Sequence, residues 1–173
     1  MPETEHPVHY RPAKSQDAVA LWEIYMPFVR DTAYTFETEV FSVAEMRRRI
    51  EQDPIGHPWV VAEQGGVVVG YAYGSPHRVR AAYHTTREVS VYLANAAKGK
   101  NIAARLYESL FPILRENGFT NVLAGITIPN PASVRFHEKM GFVKCAEYHR
   151  IGFKFNAWHD VAWYERWIGE EEY

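Results

Sequence analysis

The sequence predicts a single domain built on a mixed α/β sheet. Segments of strand character alternate with segments of helical character along the whole chain. The 173 residues suffice for one substantial core, and the shares of hydrophobic and charged residues, 47% and 23%, are typical of a soluble globular protein. Neither an internal repeat nor a linker interrupts the pattern, so we expect one domain over residues 1–173.

The first elements are a strand and two helices. Residues 8–11 have the character of a short strand. Ser15 is placed to cap a helix, because apolar residues follow it with the spacing of a helical face: Ala18, Leu21, Trp22 and Tyr25. Ser42 and Glu45 have the spacing of a capping box, so a second helix is expected at residues 46–50.

A hairpin and the central strand come next. The pair Gly65-Gly66 favours a tight turn that joins a strand at residues 59–63 to one at residues 67–75. Residues 88–93 are then predicted to form the central strand. A basic turn at residues 98–101 leads from this strand into a third helix.

The last elements are marked by residues that favour helix ends. Gly118 stands where the third helix is expected to end. Asn130-Pro131 predicts the start of a fourth helix, with an N-cap followed by proline at the first helical position, and Gly141 predicts its end. Strands are expected on either side of that helix, at residues 122–127 and 143–155.

Composition and charge exclude several classes of function. A net charge of −2 favours neither nucleic acid nor an anionic membrane as a partner. No apolar run approaches the ~20 residues that span a bilayer, and we expect no signal peptide at the polar residues 1–6. The single cysteine, Cys145, excludes a disulfide framework and the common zinc patterns, and we expect it to be buried. These features predict a cytoplasmic enzyme.

The turn at residues 98–101 predicts a site for a phosphate group. A helix N-terminus collects unpaired backbone N–H groups and the positive end of the helix dipole. Lys98 and Lys100 add positive charge beside it. The sequence therefore predicts a cofactor with a phosphate or pyrophosphate group, whose reactive end lies along the strand at residues 88–93.

Three residues are candidates for proton transfer. Glu88 begins the central strand, where a carboxylate can act as a general base directly or through a water, or can be a solvated strand-edge residue. His137 on the fourth helix can accept a proton near neutral pH, although a lone helical histidine is commonly a packed or surface residue. Tyr107 is expected either near the sulfur of a pantetheine arm or in the core as an ordinary aromatic residue.

Arg78 and Arg80 are candidates for anion binding. They follow the strand predicted at residues 67–75. An arginine in a loop above a cleft can hold a carboxylate or phosphinate group with two parallel hydrogen bonds. As exposed charges the two arginines would have no such role, and the sequence leaves both interpretations open.

Five segments resemble a known family: residues 35–39, 70–72, 88–93, 130–142 and 158–161. Through them, nearly the whole chain resembles the GCN5-related N-acetyltransferase (GNAT) superfamily. The resemblance is closest to the branch that contains phosphinothricin and methionine sulfoximine acetyltransferases. It implies a twisted, mostly antiparallel central sheet that is splayed at the cofactor site and flanked by helices.

The resemblance also implies an activity. Such an enzyme transfers the acetyl group of acetyl-CoA to the primary α-amine of a small amino-acid-like substrate, such as phosphinothricin, methionine sulfoximine or methionine sulfone. The amine attacks the thioester directly with general-base assistance, and no metal is expected. Resistance to a herbicide of the phosphinothricin type would follow from this activity. A homodimer is implied as well, with residues 158–167 as a candidate contact or, alternatively, as ordinary core.

The resemblance assigns roles to individual residues. Glu88 matches the base, Tyr107 matches the tyrosine that protonates the departing thiolate, and His137 is a second candidate base. The implied cofactor-binding residues are Val91, Tyr92 and Leu93 at the thioester, Gly99, Lys100, Asn101, Ile102, Ala103 and Ala104 at the pyrophosphate, and Asn130 and Ser133 at the pantetheine. The implied substrate-binding residues are Phe36, Arg78, Arg80, Tyr92 and His137.

The basic turn departs from the family pattern at Lys98 and Asn101. The family usually begins this turn with glutamine or arginine and has glycine at the later position. Glycine permits a positive φ angle, and asparagine is the non-glycine residue best suited to that conformation. Lys98 retains the positive charge, so we expect CoA to bind. The departure leaves open the alternative of a non-catalytic CoA-binding module. A separate alternative is an acetyltransferase for another amine, such as a polyamine or a protein N-terminus, although a pocket lined by arginine disfavours a polycationic substrate.

Overall fold

A computed structural model of the chain describes residues 6–170. Its strands are β1 (Val8–Pro12), β2 (Trp59–Gln64), β3 (Val67–Pro76), β4 (Thr86–Leu93), β5 (Asn121–Ile128), β6 (Val143–Lys154) and β7 (Ala157–Trp167). Its α-helices are α1 (Ala18–Asp31), α2 (Val43–Glu51), α3 (Ile102–Glu116) and α4 (Pro131–Lys139). The strands form one sheet in the order β1-β2-β3-β4-β5-β7-β6, in which β4–β5 is parallel and the other neighbouring pairs are antiparallel. The predicted mixed, mostly antiparallel sheet is confirmed.

Helices cover both faces of the sheet, and strand β2 shows how the sequence arranges this. Successive residues of a strand point to opposite faces. Val60 and Ala62 accordingly lie in the core that contains α3, whereas Trp59 and Val61 lie in a second core with α1 and α2. We call these two sides of the sheet the α3 face and the α1/α2 face.

The sheet is splayed between β4 and β5. The two strands pair in parallel only over Thr86–Glu88 and 121–123, and the described residues contain no further pairing between them. On its other edge β4 stays paired with β3 as far as Leu93. The N–H of Ala94 donates to the carbonyl of Val69 at 2.9 Å. Because hydrogen-bonded pairs alternate along an antiparallel ladder, the backbone polar groups of Val91 and Leu93 point away from β3 into the gap.

The structure confirms Gly118, Asn130 and Gly141 as residues that start or end helices. Gly118 and Gly141 have φ angles of +82° and +83°, the left-handed conformation that ends a helix. The side-chain oxygen of Asn130 accepts a hydrogen bond from the backbone N–H of Ser133 at 3.2 Å, so Asn130 caps α4. None of the helices within residues 6–170 has the length and apolar composition that crossing a bilayer requires.

Two expectations about capping need correction. Ser15 does not cap α1: it lies in a short 3₁₀ helix before it, and its hydroxyl donates to the carboxylate of Glu51. Ser42 does cap α2, accepting from the N–H of Glu45 at 3.2 Å. The Glu45 carboxylate instead bonds to Arg48 and Arg49, whose charged groups are stronger donors than a neutral N–H.

The expectation that Cys145 is buried is wrong. Cys145 is exposed on β6, where its thiol contacts the carbonyl oxygen of Trp163 at 3.4 Å. The reason is the position of β6 at the edge of the sheet, which leaves much of this strand in contact with solvent. The neighbouring strand β7 was not anticipated from the sequence as a separate element, and it supplies part of the candidate active site.

Candidate active site

A cleft of about 570 Å³ opens on the α1/α2 face beside the gap between β4 and β5. Glu88, Ser90 and Tyr92 line it from β4, because alternate residues of a strand share one face. Val89 between them also borders it. Other parts of the chain complete its walls, including the aromatic residues Tyr25, Tyr34, Phe36, Tyr73, Tyr148 and Trp163. The cleft therefore combines an aromatic wall with one end of the central strand.

The charged side chains among the described lining residues are Glu37 and Glu88. Glu37 accepts from Arg49 at 2.6 Å, so a guanidinium compensates its charge. Burial raises the pKa of three lining phenols, those of Tyr25, Tyr73 and Tyr92, and keeps them neutral. Within residues 6–170, by contrast, neither an arginine nor a lysine pairs with the Glu88 carboxylate, whose partner is His77.

Glu88 lies where the splay begins. It is paired with Ser75 of β3 on one side and with Leu123 of β5 on the other, so both neighbouring strands fix its backbone. Its side chain is 35% exposed, and Oε1 accepts from Nδ1 of His77 at 2.7 Å. A carboxylate that is partly exposed in a cleft and held at one oxygen can accept a proton at the other.

His77 is a site residue that the sequence did not indicate. It directly follows β3, and the pairing of Ser75 with Glu88 brings it beside the carboxylate. Its ring has edge-to-face contacts with Tyr83 and Trp163, at centroid distances of 5.7 and 5.9 Å. The nearest signal in the sequence was its position next to Arg78, but only the register of β3 and β4 reveals its contact with Glu88.

Tyr107 and His137 form a buried pair on the α3 face. The two side chains are 0% and 5% exposed, and the Tyr107 hydroxyl lies 3.1 Å from Nε2 of His137. Nδ1 of His137 lies 2.8 Å from the carbonyl oxygen of Ser133, which can only accept, so Nδ1 carries the proton. A neutral His137 must then accept at Nε2 from the hydroxyl of Tyr107.

Burial fixes the protonation states of this pair. Desolvation raises the pKa of Tyr107 and lowers that of His137, so both side chains are neutral at pH 7. Neither residue is part of the cleft lining. Of the three sequence-predicted catalytic residues, the structure places Glu88 in the cleft and holds the other two together behind the sheet.

The basic turn has the left-handed geometry expected from its sequence. Gly99 and Asn101 have φ angles of +79° and +60°, and Asn101 is the N-cap residue of α3. The carbonyl of Asn101 accepts from the N–H of Arg105 at 3.3 Å. The preceding N–H groups, those of Ile102, Ala103 and Ala104, belong to the first turn of α3 and lack carbonyl partners within the helix. Together with Gly99 and Lys100 they form the candidate pyrophosphate site.

The remaining predicted cofactor residues lie at the gap and on α4. Val91 and Leu93 direct backbone groups into the gap, whereas the side chain of Tyr92 faces the cleft. Asn130 uses its side-chain oxygen to cap α4 through the N–H of Ser133. The carbonyl of Ser133 is engaged by His137, as described above.

The predicted substrate residues occupy three different positions. The expectation that His137 lines the substrate pocket is wrong, because it is buried behind the sheet. Phe36 and Tyr92 line the cleft, where the Phe36 ring packs directly against the Cα of Gly152. Arg78 and Arg80 lie outside the lining, on the exposed segment after β3. Arg78 is nonetheless close, because its Nε donates to Nε2 of His77 at 3.2 Å.

Several lining residues were missed because they come from strands that pair far apart in sequence. Gly125 and Thr127 of β5 and Val161 and Trp163 of β7 form one wall of the cleft. The antiparallel pairing of Gly125 with Trp163 sets the indole over the glycine. Strand β5 contains no sequence motif for such a role, and residues 158–167 of β7 were interpreted as a dimer contact or as core.

The splayed sheet, the left-handed turn before α3 and the carboxylate beside the gap define a class of protein. Residues 11–163 match the family described as acetyltransferase (GNAT) domain. The chain belongs to this family and is an N-acetyltransferase. The resemblance seen in its sequence is thereby confirmed.

More specific similarities lie within one branch of the family. The chain is 38% identical to the phosphinothricin N-acetyltransferase of Streptomyces coelicolor, over 92% of this chain and 95% of that one. It is 32% identical to the L-methionine sulfoximine/L-methionine sulfone acetyltransferase of Salmonella typhimurium, over 91% and 93% of the two chains. Among solved structures, a phosphinothricin acetyltransferase from Sinorhizobium meliloti in complex with acetyl-CoA has a TM-score of 0.88 at 35% identity, with coverage of 94% and 89%.

Proposed function

We propose that this protein acetylates the primary α-amine of a small amino-acid-like substrate with acetyl-CoA, and that Glu88 is the general base. The substrate class is that of phosphinothricin, methionine sulfoximine and methionine sulfone, after which relatives of the chain are named. The position of Glu88 is the main support: its carboxylate enters the cleft where β4 and β5 part. The protein acts in this proposal as a single domain.

Acetyl-CoA would bind across the splayed strands. The N–H groups at the start of α3 and the left-handed Gly99 and Asn101 suit its pyrophosphate. The pantetheine would then run along β4, where backbone groups of Val91 and Leu93 point into the gap. An N–H group at this position can bond to the thioester oxygen and stabilise the negative charge that develops there during attack.

Glu88 would prepare the amine for attack. An α-ammonium group must lose a proton before its nitrogen can act as a nucleophile, and Glu88 takes this proton directly or through a water. The nitrogen forms a bond to the thioester carbon and releases a second proton to solvent, and the carbon–sulfur bond breaks. The products are the N-acetylated substrate and CoA thiolate, which then takes up a proton. No covalent enzyme intermediate is needed.

Tyr107 would supply the proton to the thiolate. Its raised pKa keeps the hydroxyl protonated until the thiolate forms, and the phenolate regains a proton from solvent after CoA leaves. In the resting state this proton is directed at Nε2 of His137, so the hydroxyl must turn toward sulfur. The role proposed for His137 is to hold Tyr107, and Glu88 is the better candidate for the base because it lies in the cleft.

The arginines after β3 would bind the acidic group of the substrate. Arg78 is separated from Glu88 by the imidazole of His77 alone. An α-amino acid places its amine and its carboxylate on one carbon, so an amine at Glu88 brings the carboxylate within reach of an arginine side chain nearby. A guanidinium can bind carboxylate or phosphinate with two hydrogen bonds. Arg80, at the start of the next short helix, is the second candidate.

One observation favours a second substrate class. The charged lining residues of the cleft are acidic, and Arg78 and Arg80 lie outside it. Such a cleft also suits an amine that has no carboxylate, including a polyamine or a peptide N-terminus. The two substrate classes make opposite predictions: an acidic group on the amine speeds its acetylation in the first class and slows it in the second.

A thiol-release assay with a matched amine panel tests the proposal. Purified protein and acetyl-CoA are mixed with phosphinothricin, methionine sulfoximine or methionine sulfone, and free CoA thiol is measured over time. The methyl ester of methionine sulfone and a polyamine serve as controls without the carboxylate. Faster release with the free acids supports the amino-acid class, and faster release with the controls supports the second class. Acetyl-CoA binding without thiol release from any amine would indicate a non-catalytic module.

We also propose that the protein is a cytoplasmic homodimer. Exposed aromatic side chains lie at the β6–β7 hairpin, with Phe153, Phe155 and Trp158 more than half exposed. A patch of this kind favours contact with a second copy of the chain. Light scattering after gel filtration measures the mass, and Trp158→Ser should shift a dimer toward the 20.0 kDa monomer. In a host sensitive to phosphinothricin, the activity would confer herbicide resistance.

A further inference from the structure

We propose that His77 is a positioning residue that holds the Glu88 carboxylate in its productive orientation. The proposal rests on the assignment of Glu88 as the general base, made under the proposed function. His77 would act by donating from Nδ1 to one carboxylate oxygen, so that the other oxygen is presented to the amine. No substrate contact by His77 is required.

The hydrogen bond between the two side chains is well defined. Nδ1 of His77 lies 2.7 Å from Oε1 of Glu88, within the range of bonds to an ionised carboxylate. The imidazole is 14% exposed and the carboxylate 35%. The histidine is therefore the more buried partner, and its hydrogen bond engages Oε1 rather than Oε2.

A second hydrogen bond fixes which nitrogen of His77 carries the proton. Nε of Arg78 donates to Nε2 of His77 at 3.2 Å. A guanidinium has donors only, so Nε2 must offer its lone pair. The proton of the neutral ring is then on Nδ1, where it donates to Glu88. Arg78 thus selects the tautomer that can hold the base.

Aromatic contacts fix the plane of the imidazole. Tyr83 and Trp163 meet the ring edge-to-face, with interplanar angles of 76° and 72°. Tyr83 lies in the segment between β3 and β4, and Trp163 lies on β7. Because the contacts come from separate elements, the ring cannot rotate without disturbing packing on either side.

This arrangement determines what happens to the proton. Nδ1 of His77 already carries a hydrogen, so it cannot accept one from Glu88. The proton that leaves the ammonium group stays on the Glu88 carboxyl until solvent removes it, and the imidazole acts only as a donor. Because the Glu88 side chain is already held before the substrate binds, it loses little rotational freedom during the attack. A catalytic group that is held less firmly can lower the rate of its reaction by up to ~100-fold.

The test compares two substitutions at one position. His77→Phe keeps a ring against Tyr83 and Trp163 but removes the donor. His77→Asn removes the ring, but its amide N–H lies close to the place of Nδ1. We expect His77→Phe to lower kcat by about 10-fold or more with KM for acetyl-CoA unchanged, and His77→Asn to restore much of that loss. Equal losses in the two variants, or an unchanged kcat in His77→Phe, would overturn the proposal.

A double-mutant comparison tests whether His77 acts through Glu88. In a Glu88→Gln background the base is already absent, so adding His77→Phe should leave the residual rate unchanged. If His77→Phe lowers the rate equally in both backgrounds, it acts elsewhere and the proposal fails. Circular dichroism of every variant verifies that the fold is retained.

A spectroscopic measurement separates this proposal from the proposed function. Nitrogen-15 NMR of histidine-labelled protein, with the His77 signals assigned by their loss in His77→Asn, reports which ring nitrogen is protonated. We expect protonated Nδ1, with a signal that shifts in Glu88→Gln. The His77 proposal is overturned, even in an active enzyme, if Nε2 is protonated or if the His77 signal does not shift in Glu88→Gln. If the protein acetylates none of the amines, the proposed function is overturned. The NMR signal still shows whether Nδ1 of His77 donates to Glu88.

Discussion

Replacing Glu88 by glutamine should remove the general base with little other change. Glutamine has nearly the same shape, and its carbonyl oxygen can still accept from Nδ1 of His77. Loss of a positioned base lowers a rate by ~100- to 10,000-fold. That factor corresponds to about 3–5 kcal/mol in the activation barrier.

The cofactor site should be unaffected by this change. Glu88 and Leu93 stand at opposite ends of the central strand segment, separated by about 17 Å at the rise of an extended chain. The candidate pyrophosphate site lies beyond Leu93, at the start of α3. Acetyl-CoA affinity, measured by calorimetry, should therefore stay the same while kcat falls.

The assay is thiol release at saturating acetyl-CoA over a range of pH. The variant should recover part of its rate at high pH, where more of the amine is already deprotonated and needs no base. Glu108→Gln is a matched control, because it removes an exposed carboxylate on α3 that pairs with Arg105. The assignment of Glu88 is refuted if Glu88→Gln keeps the wild-type kcat and pH dependence.

Three further predictions concern the turn, the cleft and a half-buried histidine. Asn101 has a φ angle of +60°, which glycine adopts readily and valine does not. Asn101→Gly should therefore keep or improve the affinity for acetyl-CoA, whereas Asn101→Val should weaken it. Calorimetry measures both affinities, and a larger loss with glycine than with valine would contradict the prediction. At Gly152 a Cβ would lie 2.3 Å from the Phe36 ring, so Gly152→Ala should displace Phe36 and raise KM for the amine but not for acetyl-CoA in thiol-release kinetics. Desolvation lowers the pKa of His57 to about 4, so the unfolded chain takes up a proton first as pH falls below ~6.5. The free energy of unfolding, measured with urea, should fall by up to ~2 kcal/mol between pH 7 and 5. His57→Phe should lose less stability over the same range, because it lacks the titrating imidazole. An equal fall in both proteins would refute the assignment of this pH dependence to His57.

Features set by local backbone chemistry could be predicted from the sequence. Asn101 is an example. Its position in the turn requires a positive φ angle, asparagine is the non-glycine residue best suited to that angle, and its φ in the structure is +60°. Gly118, Gly141 and the Asn130 cap follow the same logic. Each of these signals depends on a few neighbouring residues, which the sequence displays directly.

Features set by strand register could not be predicted in this way. The contact of His77 with Glu88 depends on the pairing of Ser75 with Glu88, and a shift of one residue would turn one side chain to the other face. Trp163 reaches the cleft because β7 inserts between β5 and β6 in the sheet. For Ser15, a competing partner on another helix, Glu51, replaced the expected cap.

The two faces of β4 separate the proposed base from the proposed acid. Glu88 lines the cleft on the α1/α2 face, whereas Tyr107 belongs to the core on the α3 face. In the proposed reaction the amine attacks from the first face and the thiolate departs toward the second, through the gap where β4 and β5 are unpaired. Tyr107→Phe should then lower kcat without changing KM for the amine. It should also lower the free energy of unfolding by about 1–3 kcal/mol, because Nε2 of His137 loses its buried partner. A changed KM for the amine in thiol-release kinetics would show that Tyr107 reaches the cleft and that the two faces are not separate.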